Sequence, residues 1–274
     1  MTDRAIPARV SLILSDVDGT LVTRDKLLTE RTLEAVRRVR AAQVTFAVAS
    51  SRPPFGLRSV RKSLDLSCAF ACFNGGLVLA PDDEIIVANY VPADVAAEAI
   101  EFFESRGLQV WAFTASQWLC RDAQAPYVAH EQNTVSQAPT LVASFAPYLG
   151  ALGKIVAVSA DANVLEQCER AVQARLGARA MAARSQSYYL DVTHPAANKA
   201  DALRAIAGAC GAPLSECVAI GDGGNDAVML ETAAYGIAMG NAVEAVKSVA
   251  DFVTGSNEEE GFAMAMEHLL EKVR

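Results

Sequence analysis

Two short acidic turns hold the residues best suited to chemistry. Ser15-Asp16-Val17-Asp18-Gly19-Thr20-Leu21 places two carboxylates at i and i+2. Gly221-Asp222-Gly223-Gly224-Asn225-Asp226 supplies two more. Each turn follows an apolar run, residues 10–14 and 217–220, that reads as a buried strand. Acids that collect at strand ends repel one another, and a divalent cation gives them a reason to share a site. Either turn alone is ordinary, because aspartate and glycine are the usual turn residues. Lys199 alone is an ordinary surface lysine on a helix. The three together point to phosphoryl transfer.

The chemistry follows from the residue types. Mg²⁺ prefers hard oxygen ligands, takes few from protein and keeps several waters. Asp16 and Asp222 can bind it directly, the backbone carbonyl of Asp18 can complete the protein share, and Asp226 supports them from behind. A bound cation offsets the repulsion between carboxylate and phosphate, so Asp16 can attack phosphorus and form an aspartyl-phosphate. Asp18 is placed to protonate the leaving oxygen and later to activate water. Ser50 and backbone N–H groups can hydrogen-bond phosphoryl oxygens. Lys199 neutralises charge on nucleophile and phosphate.

These residues need a scaffold that brings distant strand ends together. Strands are expected at 10–14, 44–49 and 68–73, with helices between them. The first helix runs from an N-cap at Thr29 to about residue 43, and the second starts at Pro53 and Pro54 and ends near 64. This β-α-β-α-β order implies right-handed crossovers and a parallel sheet. Its strand ends, near 16, 50 and 74, then fall on one edge, where open α/β sheets collect their chemistry. From 83 to 190 the texture changes. Strands at 85–89, 109–114, 117–121, 154–159 and 188–192 alternate with helices at 93–105 and 162–176. Trp111 and Trp118 lie in this stretch and read as packing residues. The α/β texture then returns, with helices at 198–210, 227–234, 242–249 and 261–273 and strands at 217–220 and 236–239. The expected architecture is α/β: a Rossmann-like parallel core, residues 1–82 and 191–274, with an inserted α+β cap, residues 83–190.

Composition narrows the function. The 274 residues are 52% hydrophobic with a net charge of −8, a balance that argues against nucleic-acid and anionic-membrane partners. The six cysteines are scattered without CxxC, and read as small buried thiols. The three histidines are isolated, which disfavours zinc. No signal peptide or membrane span is visible, so the expected location is the cytoplasm. Oligomeric state is not legible.

The set DVDGTL (16–21), ASSR (49–52), FNGG (73–76), NK (198–199) and GDGGND (221–226) resembles the haloacid dehalogenase-like superfamily, and within it the Cof-type phosphatases. IAMGNA (237–242) and the tail at 250–262 extend the likeness over nearly the whole chain. The resemblance implies Asp16 as nucleophile, Asp18 as acid and base, Lys199 as the charge-neutralising lysine, and Asp222 as metal ligand with Asp226 in support. It implies Ser50, with Ser51 and Arg52 beside it, and Asn225 at the phosphate, and Asn74 and Gly75 in a loop facing the substrate. Mg²⁺ is the implied cofactor and a small phosphorylated metabolite, such as a sugar phosphate, the implied substrate. A cap that moves over the site is also implied, with hinges near 80–84 and 190–194. Two departures, Ser50-Ser51-Arg52 for the usual TGR and Ala200 for the usual glycine, remove no functional group.

Two other readings share the acids. A phosphomutase would make the same aspartyl-phosphate and return the phosphate to sugar. A non-enzymatic phospho-acceptor domain would also cluster acids and a lysine, although the long insert and Asp18 argue against it. A transport ATPase fragment would carry threonine where Asp18 stands.

Overall fold

The computed structural model describes residues 4–272. The chain divides into two compact units, one of Met1–Ser51, Arg58–Val87 and Asn198–Arg274, the other of Arg52–Leu57 and Ala88–Ala197. The second unit begins and ends later than the expected 83–190, and it takes in a short piece of the early chain. Residues 1–3 and 273–274, which fall in the expected core, lie outside the described residues.

The first unit opens with β1 (Leu12–Ser15), α1 (Glu30–Ala41), β2 (Thr45–Val48), α2 (Arg58–Ser63), β3 (Phe70–Cys72), β4 (Leu77–Leu79) and β5 (Ile85–Ala88). The second unit holds α3 (Ala93–Glu104), β6 (Gln109–Phe113), β7 (Trp118–Cys120), α4 (Val128–Val135), β8 (Thr140–Leu141), β9 (Lys154–Val158), α5 (Ala162–Leu176), β10 (Met181–Gln186) and β11 (Tyr189–Thr193). The chain then returns to the first unit with α6 (Lys199–Cys210), β12 (Cys217–Gly221), α7 (Ala227–Thr232), β13 (Tyr235–Ala238), α8 (Glu244–Val249), β14 (Phe252–Val253) and α9 (Gly261–Lys272). The last residue of the expected closing helix, Val273, lies outside the described residues.

The main sheet of the first unit runs β14-β13-β12-β1-β2, all parallel. Its central strands are continuous apolar runs because helices cover both faces. Leu12, Leu14, Ala47 and Ala219 pack against Leu203, Ile206, Met229 and Leu230 of α6 and α7. The small alanines let helix and sheet approach closely, and each fully buried Leu or Ile contributes about 1.5–3 kcal/mol. Helix α1 starts where expected: Thr29 is extended, and its side chain accepts from the Thr32 backbone N–H at 3.1 Å.

The third strand departs from expectation. β3 joins the parallel sheet only through a single bridge, Ala49 to Ala71, and its ladder is antiparallel to β4 within a separate sheet, β3-β4-β5. The polypeptide turns back at Phe73 and Asn74, both at positive φ, so a hairpin replaces the crossover. The expected helix after Pro53 also divides. Pro54–Leu57 is a 3₁₀ turn, and α2 starts only at Arg58. A Cβ added at Gly56 would lie 3.4 Å from Val135 Cβ of α4, so this turn packs within the second unit.

In the second unit the sheet order is β10-β11-β9-β6-β7-β8. Helices α3 and α5 cover one face through Val95, Ala99, Phe103, Leu165, Cys168 and Val172. Among the described residues no helix is long and apolar enough to cross a membrane.

Candidate active site

Register decides what meets. Ser15 pairs with Ile220 on one side and Val48 on the other, so the carboxyl ends of β12, β1 and β2 lie side by side. Asp16 follows β1 directly, its N–H donating to Ile220 O at 2.9 Å. Asp222 follows β12, and Ser50 stands two residues beyond β2.

Asp16, Asp222 and Asp226 converge: one carboxylate oxygen of each lies within 4.8 Å of the others. Asp16 and Asp226 are 6% and 1% exposed, and Lys199 is completely buried. The Lys199 ammonium donates to Asp16 and, at 2.5 Å, to Asp226 Oδ1. Asp226 Oδ2 accepts from the N–H groups of Asp222 and Gly223 at 2.9 and 2.8 Å. Both Asp226 oxygens therefore have partners, which suits a supporting role more than direct ligation. Asn198 caps α6 by accepting from Asp201 N–H, and so fixes the helix start that presents Lys199.

The electrostatics favour a cation. Three carboxylates face one ammonium, a formal surplus of two negative charges in a buried space. Burial pushes the Asp16 carboxyl well above the usual range, with Lys199 opposing and Asp226 and Asp222 adding to the rise. Burial, then Asp226, raise Asp222 to about 6. Burial works against the Lys199 charge too, but Asp16 and Asp226 outweigh it and hold its pKa above the ordinary lysine value. Lys199 keeps its proton, and the cost of burial falls on the carboxylates. A hard divalent cation fits this all-oxygen donor set, and Asp16 and Asp222 are the groups able to hold it.

Asp18 stands apart from that group. Its carboxylate pairs with Lys26 Nζ at 2.7 Å, on the solvent side of the turn. Ser50 is buried; its N–H donates to Ala71 O and its carbonyl accepts from Asn74 N–H at 2.9 Å. Asn225 Nδ2 donates to Asn74 Oδ1 at 2.8 Å, which joins the two loops expected at substrate and phosphate. Gly75, at φ +96°, sits where any side chain would strike the Asn198 carbonyl, so this loop packs on the start of α6. Ser51 closes the first unit, whereas Arg52 belongs to the second and donates to Gly56 O at 3.2 Å. Arg121 and Arg184 of the second unit pair with Glu104 and Glu169.

Three side chains in contact with these acids carried no role in the sequence reading. Thr20 Oγ1 donates to Asp222 Oδ1 at 2.9 Å. Asn241 Nδ2 reaches Asp222 Oδ2 at 3.2 Å and the Gly19 carbonyl at 2.9 Å. Lys26 is the third. Thr20 and Asn241 lie inside motifs that sequence does expose, DVDGTL and IAMGNA; Lys26 lies in a loop with no pattern to mark it.

A profile of haloacid dehalogenase-like hydrolase sequences matches residues 13–266. The chain belongs to this family. Its structure is similar to a haloacid dehalogenase-like hydrolase from Bacteroides thetaiotaomicron, with a TM-score of 0.88, 28% identity, and 95% of this chain and 100% of that one covered. It is also similar to the sugar phosphatase BT4131, at TM-score 0.82 and 26% identity, covering 96% of this chain and 100% of that one. The HMP-PP phosphatase of Cronobacter sakazakii is 30% identical over 229 residues, 83% of each chain. The family and its phosphatase relatives make this haloacid dehalogenase-like protein an enzyme of the phosphatase type. That excludes a non-enzymatic phospho-acceptor domain.

Proposed function

We propose that the protein hydrolyses small phosphomonoesters, sugar phosphates or similar metabolites, through an aspartyl-phosphate on Asp16 with Mg²⁺ bound. The observation that carries this reading is the buried Asp16 carboxylate at the end of β1, joined to Lys199 and within ligand-sharing distance of Asp222. Asp16 and Asp222 hold the cation, with the Asp18 carbonyl completing the protein share. The cation supplies charge neutralisation between carboxylate and phosphate.

The steps belong to the chain's own residues. An Asp16 carboxylate oxygen bonds to phosphorus as the bond from phosphorus to the ester oxygen breaks. Asp18 gives its proton to the departing alkoxide, which leaves as alcohol. Water then attacks the acyl-phosphate, Asp18 takes its proton, and inorganic phosphate departs with Asp16 restored. Lys199, fixed by Asp226, holds positive charge against the nucleophile throughout. Ser50 and Asn225 bind phosphoryl oxygens. A family relative that is a sugar phosphatase supports the substrate class.

The test is turnover of p-nitrophenyl phosphate with Mg²⁺, with EDTA, and with Asp16→Asn. Loss of activity in the second and third conditions, with release of inorganic phosphate in the first, is the expected result. Full activity of Asp16→Asn would remove the nucleophile.

A further inference from the structure

One ion pair at the site has no part in the steps above. Lys26 Nζ lies 2.7 Å from Asp18 Oδ1, and the two side chains stay partly open to solvent, at 38% and 27%. An exposed pair of this kind contributes only about 0–1 kcal/mol to a fold. Stability alone therefore does not account for it.

The backbone around Lys26 is built to present it. Lys26 sits at φ +62°, a left-handed conformation that glycine or asparagine adopts at less cost. The turn is closed by hydrogen bonds from Lys26 N–H to Thr23 O at 2.9 Å, from Thr23 N–H to Leu27 O at 3.0 Å, and from Leu27 N–H to Thr23 Oγ1 at 3.2 Å. It is moored from outside as well: Asn257 Nδ2 donates to Val22 O at 2.9 Å, and Glu258 accepts from Arg24 N–H at 2.7 Å. Asn257 N–H in turn donates to Asn241 Oδ1 at 2.9 Å, and Asn241 holds Asp222 and the Gly19 carbonyl. Turn and acidic site thus share one chain of hydrogen bonds, all of it within the first unit. A lysine held in this way belongs to the site.

We propose that Lys26 selects leaving groups that carry an anion close to the ester oxygen, a carboxylate or a second phosphate. The proposal rests on the phosphatase reading above and narrows its substrate class. Asp18 exchanges its proton with the ester oxygen, so its carboxyl must come within about 3 Å of that oxygen. Lys26 Nζ, 2.7 Å from the same carboxyl, then stands within about 6 Å of the ester oxygen. Groups a few bonds along the leaving group fall inside that distance. An anion there would meet the Asp18 carboxylate and the three clustered acids, and needs a cation to offset them. Lys199 cannot supply it, being completely buried and bonded to Asp16 and Asp226. Lys26 can, through a charge-assisted hydrogen bond from a side chain already half open. A neutral alcohol offers it only hydroxyls, which gain less from a full charge. In the reaction the bond from phosphorus to the ester oxygen breaks, its electron pair stays on that oxygen, Asp18 protonates it, and Lys26 holds the anion beside it.

Three phosphomonoesters on one two-carbon skeleton isolate the charge: phosphoglycolate, ethylene glycol bisphosphate and 2-hydroxyethyl phosphate. Their kcat/KM values are measured on the full chain with Mg²⁺ for wild type, Lys26→Gln and Lys26→Arg. In wild type at least one anionic ester is expected to exceed the neutral one by about tenfold or more. Which anion is preferred tells carboxylate from phosphate. The ratio of anionic to neutral ester should collapse in Lys26→Gln and persist in Lys26→Arg, which keeps the charge. No preference in wild type, or one that survives in Lys26→Gln, overturns the proposal. A parallel fall on all three esters assigns Lys26 to placing Asp18 and overturns it too. Melting separates selection from folding: Lys26→Gln should stay within about 4 °C of wild type, as loss of an exposed pair implies. A larger drop with the ratio unchanged assigns the pair to the fold. A wild type that cleaves neither these esters nor p-nitrophenyl phosphate defeats the phosphatase reading and the proposal with it. Cleavage of p-nitrophenyl phosphate without the preference defeats the proposal alone.

Discussion

Lys199 and Asp16 are 183 positions apart in sequence and joined by a buried, charge-assisted hydrogen bond. With Asp226 on its other side, the lysine holds two of the three clustered acids. Lys199→Met should therefore strip two buried carboxylates of their partner. Breaking a buried pair in this way costs about 3–5 kcal/mol. Chemical denaturation in EDTA should show that loss, and Mg²⁺ should restore part of it. A variant as stable as wild type in EDTA would show that the acids are not charged in the resting fold.

The acids also set a pH dependence. Asp222 titrates at about 6 in the folded chain and near 3.9 in the unfolded one, so the fold favours its protonated form. Its stabilising contribution is complete below about pH 3.9 and is lost as pH rises through about 6. Asp16 shifts in the same direction. Mg²⁺ competes with these protons, so it should stabilise little at pH 5 and much more at pH 7.5. Paired thermal melts with MgCl₂ and with EDTA check this. An equal Mg²⁺ gain at both pH values would detach the cation from these carboxylates.

Much of this site was legible in the sequence because short-range chemistry marks it. Strand runs ending in acid-glycine turns predict β1 and β12, and their parallel register brings Asp16 beside Asp222. Thr29 and Asn198 mark helix starts by their side-chain oxygens. Helix α5 reads cleanly because Leu165, Cys168, Val172 and Leu176 keep helical spacing. What escaped has physical reasons. β3 looks like another parallel strand, but positive φ at Phe73 and Asn74 turns it into a hairpin; Asn74 suits that conformation, whereas Phe73 gives no sign of it. β10 is an edge strand with five of its six residues exposed, so no apolar alternation betrays it. Helix α4 is short and weakly patterned. Lys26 sits in a loop with no pattern to mark its pairing with Asp18, and the IAMGNA motif marks Asn241 without telling that it meets Asp222.

Gly19 tests the packing of the two acidic turns. It sits at φ +87°, and a Cβ there would collide with the Asp222 carboxylate. Gly107 is a matched control, at φ +70° with nothing within 4 Å. Gly107→Ala should cost only the left-handed backbone penalty, about 1–2 kcal/mol. Gly19→Ala should cost more than that, and calorimetric Mg²⁺ binding should weaken because Asp222 must move. Equal destabilisation with intact Mg²⁺ binding would mean the turns tolerate separation.

Thr20 acts on the cation through Asp222. Its hydroxyl donates to Asp222 Oδ1 and draws the carboxyl's pKa down against burial. Thr20→Val keeps the shape and removes the donor, so the Asp222 pKa should climb further. Loss of an outer partner to a metal-binding group typically weakens affinity about 10–100-fold. Because the loss works partly by proton competition, it should be largest near pH 6 and shrink by pH 8. Mg²⁺ titration calorimetry at both values reads the difference directly, and an affinity loss independent of pH would assign the hydroxyl to orientation alone.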